Sequence, residues 1–91
     1  MENKMTKAEM VAKLEAAVGE TAYGKELIAA LEATYDDADK KYGQDALDRL
    51  HDRLGFLEYY MNRDAQMGEE AKSAAEADKL AIVKKAAAAL Q

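Results

Sequence analysis

Cysteine, proline and tryptophan are all missing from this sequence, and phenylalanine and histidine occur once each. Without cysteine there are no disulfides, thiolate zinc sites or cysteine nucleophiles, so packing alone must hold the fold together. Without proline nothing forces a helix to break, and the five glycines become the punctuation. Strand signals are absent as well, because β-branched residues are few and never alternate with polar ones over a strand length. The longest uncharged stretch, Ala86 to Gln91, falls far short of the roughly 18 residues a membrane-spanning helix needs. Met1 to Lys7 carries Glu2, Lys4 and Lys7 with no apolar segment behind them, so it does not read as a secretory signal and the expected compartment is the cytoplasm.

What is present favours helix. Apolar residues make up 49% of the 91 and charged residues 34%, a mixture too hydrophobic for disorder. The length suits one domain, since two would each bury too little surface. Alanine, leucine, glutamate, lysine and methionine dominate. The expected fold is an all-α, small antiparallel bundle of about four helices, with residues 1–5 disordered.

The first helix, 7–18, opens on a capping box, Thr6 to Glu9, and carries Met10, Val11, Leu14 and Val18 on one face before Gly19. Thr21 caps a second, expected over 22–42, with a stripe of Leu27, Ile28, Leu31, Tyr35, Ala38 and Tyr42. Its end is supported by Asp36 to Lys40 and Asp37 to Lys41 pairs before Gly43. Leu47, Leu50, Leu54, Leu57 and Met61 then repeat at steps of three and four, predicting a third helix over 45–62. Gly55 in its middle costs about 1 kcal/mol relative to alanine and points to a close helix contact or a kink. The last helix, 70–90, has a thin stripe of Ala77, Leu80, Val83, Ala87 and Leu90 amid further alanines.

Chemistry-bearing patterns are scarce. Asp48 and His51 share a helical face, but a carboxylate–histidine metal site in a bundle needs matching motifs on other helices, and none exists. From Asp37 a calcium loop fails, with Lys41 and Tyr42 where an oxygen ligand and glycine belong. No phosphate-cradling glycine motif, nucleophile–base pair or paired acid in an apolar segment occurs, so no enzyme activity, metal or cofactor is expected. Eighteen acidic against thirteen basic residues, a net −5, disfavour nucleic acid as a direct partner. Residues 36–58 hold seven acidic and four basic of these.

That leaves binding to another protein. Arg49, Arg53, Phe56 and Tyr60 form a stripe beside the leucine rhythm, and the adjacent Tyr59 and Tyr60 point about 100° apart, so one core face cannot hold both. Tyrosine and arginine are enriched at interface hot spots. The expected partner-binding residues are Tyr59, Tyr60, Arg53, Asp45, Asp48 and Asp52, the carboxylates steering the protein toward a basic surface. The alternative is a self-associating structural protein, a homo-oligomer such as a dimer, whose leucine and tyrosine stripes pair between copies.

Met5 to Leu14, followed by a short turn and a second helix, resembles the first helical hairpin of histone-like HU proteins; the β-sheet and basic arms of that family have no counterpart here, which removes its DNA-binding function. The acidic charge and Tyr59–Tyr60 pair are similar to those of colicin immunity proteins, acidic four-helix inhibitors. That likeness implies a small inhibitor or regulator of a basic-surfaced, nucleic-acid-handling protein. Because the metal constellations are incomplete, adding calcium or zinc is expected to leave the melting temperature unchanged; a rise of many degrees would reveal a site through binding linkage.

Overall fold

The computed structural model describes residues 3–91, and among them the chain is all-α, with four helices and no strand. Helix α1 (Lys7–Val18) begins where the sequence places it. The Glu9 amide donates to Thr6 Oγ1 and the Thr6 amide donates to the Glu9 carboxylate, both at 3.2 Å. These bonds hold the Glu9 carboxyl below its usual range. Helix α2 (Ala22–Thr34) is capped by Thr21, whose hydroxyl accepts from the Gly24 amide at 2.9 Å. Gly24 is a packing requirement rather than a weak point, because a Cβ built there would lie 1.8 Å from the Val18 carbonyl oxygen.

The second helix does not continue to residue 42. It stops at Thr34, and 35–42 form an irregular loop. Tyr35 leaves the helix with extended backbone and turns its ring inward, 6% exposed and stacked on Tyr42 at 4.1 Å. The aspartates then compete for the backbone: Asp37 accepts from the Asp39 amide at 3.0 Å, and Asp36 accepts from the Tyr42 hydroxyl at 2.9 Å. Ala38 is therefore exposed instead of lying on a core stripe.

The expectation of a disordered 1–5 is corrected for residues 3–5; residues 1 and 2 lie outside the described residues. Residues 3–6 run antiparallel to 41–44, with Tyr42 N–H donating to the Met5 carbonyl (2.8 Å) and Gln44 N–H to the Asn3 carbonyl (2.9 Å). Met5 is buried. Gly43 makes this possible, since a Cβ there would meet Asn3 Oδ1 at 2.5 Å and Met5 Cγ at 2.7 Å. It opens helix α3 (Gly43–Gln66), which is longer at both ends than the leucine rhythm shows, rather than closing α2. Gly68, at φ +79°, takes the left-handed conformation that turns the chain into α4 (Glu70–Leu90).

The α3–α4 hairpin is antiparallel. Ser73 Oγ donates to the Met61 carbonyl at 2.9 Å on one side of it. At its base Asn3 bridges the two helices, its amide N–H donating to Gln44 Oε1 and its side-chain amide to the Leu90 carbonyl. One cluster of buried side chains fills that base, centred on Met10, Leu14, Leu50, Val83 and Leu90. Here the thin stripe of the last helix suffices, because alanines 86 and 87 let the helices approach closely.

Tyr35 ties the loop to α3. Its hydroxyl donates to Asp45 Oδ2 at 2.7 Å, and Arg49 Nε reaches the same oxygen at 2.9 Å. Arg49 first and Tyr35 second hold the Asp45 carboxyl below its usual range, while burial, then Asp45, raises the Tyr35 hydroxyl. A depressed carboxylate contributes stability that is present above its ordinary pKa and disappears as pH falls through the depressed value. Tyr35→Phe is thus expected to cost about 1 kcal/mol at neutral pH, with the difference shrinking in acid as Asp45 protonates; urea denaturation at a series of pH values checks both.

Candidate functional site

Two long helices of 24 and 21 residues meet two short ones of 12 and 13. Pairing fails beyond the short ones. α2 packs on α1 and α4 and borders α3 only as far as Arg53, where Tyr23, Leu27 and Ala30 line a groove with that arginine. Past this point α3 and α4 continue alone as a two-helix arm, and no residue from 58 to 79 is buried. The dimensions, 46 × 27 × 20 Å, reflect that arm.

Among the described residues Phe56, Tyr59 and Met67, at 55%, 63% and 64% exposure, are the exposed large apolar side chains, and all three stand on the arm. Phe56 and Tyr59 both rest on the ring of half-buried Tyr60, with centroids at 4.6 and 5.2 Å. The Arg63 guanidinium lies over the same ring at 5.7 Å. Tyr59 is thus outside the core, while Leu57 two residues earlier is 5% exposed and inside it.

The candidates from sequence are divided by the fold. Arg53 and Asp52 join Phe56 and Arg49 around a shallow depression on α3, next to the aromatic group. Asp45 is engaged by Tyr35 and Arg49, and Asp48 accepts from Gln44 Nε2 at 2.9 Å, so both are part of the base. The loop carrying Asp36, Asp37 and Asp39 sits at the start of α3, about 25 Å along the helix from Tyr59. The loop carboxylates are therefore at the opposite end from the aromatic surface, which has Asp52, Glu58 and Asp64 as its own acidic neighbours along α3. Sequence reasoning missed Met67, which lies beyond the 45–62 span expected for the third helix, and Arg63 as part of the same face. The signal was available in the continuation of the Arg49–Arg53–Phe56–Tyr60 stripe by steps of three and four to residues 63 and 67.

An acid pair stands within the arm, Glu76 opposite Asp64, where burial, then Asp64, push the Glu76 carboxyl up. His51 is exposed. Among the described residues no three histidine or carboxylate side chains converge as a metal group, and no helix is long and apolar enough to cross a membrane.

Exposure separates surface from core in a measurable way. Leu57→Ala is expected to cost about 2 to 4 kcal/mol, and Tyr59→Ala less than about 0.5 kcal/mol, in denaturation at sub-micromolar protein. Comparison with known proteins adds no family to this geometry: no family model, curated protein or solved structure matches the chain.

Proposed function

We propose that this chain is a non-catalytic protein-binding module, a small acidic regulator or inhibitor that grips its partner with the outward face of the α3 arm. The observation that carries the reading is the collection of Phe56, Tyr59 and Met67, solvent-exposed, on the part of the molecule no other helix covers. Scattered exposed apolar residues need no explanation; a group of them on one projecting element does. Arg53 and Tyr60 flank that group and supply the side chains most used as interface anchors.

The carboxylates have a different part. With a net charge of −5, the protein carries a field that speeds encounter with a basic surface, such as that of a nucleic-acid-handling protein. Short-range holding falls to the aromatic face.

The two roles separate by kinetics. Against a partner captured from the source lysate, Asp48→Asn should change the on-rate and its salt dependence modestly. Tyr59→Ala or Tyr60→Ala should raise the off-rate, with losses of about 2 kcal/mol, near thirtyfold in affinity. Surface plasmon resonance on the three variants decides it: equal losses, or a larger loss for Asp48→Asn, would remove the aromatic face from the binding site.

A further inference from the structure

The outward side of α3 carries a second three-and-four rhythm, distinct from the leucines that face α4. Arg49, Asp52, Phe56, Tyr59, Arg63 and Gln66 follow one another at steps of three, four, three, four and three. That spacing keeps the six on one face of the helix, with the aromatic pair Phe56 and Tyr59 at its centre and charged or polar residues on either side. All six belong to one continuous helix, and no element of the chain covers this row along the arm.

The row is self-complementary when read against its own reverse. Placing two copies antiparallel, with the two-fold axis between residues 57 and 58, sets Phe56 against Tyr59 of the second copy and Asp52 against its Arg63. Arg49 then meets Gln66, and by symmetry every pairing occurs twice. On one flank Arg53 comes beside Tyr60 of the other copy, a cation over an aromatic face. On the other flank stand Gly55 and Asn62, both small. A Cβ added at Gly55 meets nothing within 4 Å in its own chain, so the close contact that a mid-helix glycine suggests is not made within this molecule. An isologous interface demands this property: residue i meets j while j meets i.

Surface area agrees with a missing neighbour. The chain exposes 5824 Å², against about 5200 Å² for a compact protein of its 10.0 kDa. Its radius of gyration is 14.0 Å, where about 12 Å is usual for the length. The excess of roughly 600 Å² approaches the about 800 Å² per partner that a standard interface covers.

We propose that in the free protein the α3 arm is covered by a second copy of this chain, docked antiparallel through the row from Arg49 to Gln66 so that two arms form a four-helix bundle, and that a basic-surfaced partner takes the same face by displacing that copy. This rests on the reading of that face as a docking surface and commits it, in the free protein, to one occupant. Two charge reversals test the register. In sedimentation equilibrium the wild-type chain should be dimeric at micromolar concentration. Asp52→Arg alone sets arginine against arginine, and Arg63→Asp alone sets aspartate against aspartate, so each should weaken the dimer at least tenfold. Mixed in equal amounts, the two variants should associate with each other, because both contacts in the mixed pair become attractive. Both positions are exposed on the helix, and far-ultraviolet circular dichroism verifies that each variant is folded. A mixture that stays monomeric, or reversals that leave the dimer intact, would overturn this register. A wild-type chain that remains monomeric at 100-fold higher concentration overturns self-association altogether. If Tyr59→Ala then still weakens a captured partner, the docking surface stands and only the identity of its occupant is lost.

Discussion

The governing constraint is a mismatch of length. An amphipathic helix must bury its apolar stripe along its whole extent, and α1 and α2 together run beside only the basal part of the α3–α4 pair. At the base four helices share one core and the side chains are excluded from water. Along the arm two helices provide a single line of contact, too narrow to bury more than Leu57 and Leu80 where it leaves the core. Exposed aromatics on the arm follow from this shortage of cover, not from local composition.

The loop from Tyr35 to Tyr42 fixes how the two halves meet. By turning its ring inward and bonding Asp45, Tyr35 joins the end of α2 to the first turn of α3, and Arg49 completes the arrangement from the next turn. Tyr42, stacked on Tyr35, gives the following backbone amides an orientation in which residues 3–6 can pair with them. Three features distant in sequence thereby depend on one tyrosine. The surface pair Asp45–Arg49 by itself contributes little, being open to solvent; its value lies in orienting the carboxylate toward a buried hydroxyl.

Local signals made most of this legible. The capping box of α1, the leucine rhythm of α3 and the glycine at residue 68 each act over a few residues, and each is visible without tertiary information. The loop was hidden because Asp36, Asp37, Lys40 and Lys41 support a helix as readily as they support a turn, and only the burial of Tyr35 decides between them. Ordered residues 3–5 carry no local signal at all; their partners are 41–44 and the end of α4. At the surface, the two-tyrosine argument locates Tyr59 outside the core, but it cannot reveal that the fold removes Asp45 and Asp48 to the base. The outer row of α3 was present in the letters and masked by the stronger apolar row beside it.

Asn3 has a further consequence for the order of events in folding. Its two bonds to the α3–α4 pair close loops of 41 and 87 residues, whereas the Ser73 to Met61 bond closes one of only 12. Loop-closure entropy grows as the logarithm of loop size, so short-range hairpin contacts are reached first and the bridge at Asn3 only after both its targets are held together. The clasp therefore works as a late latch: it gives the nucleus nothing to form on, and its strength acts on how fast the finished molecule opens rather than on how fast it assembles.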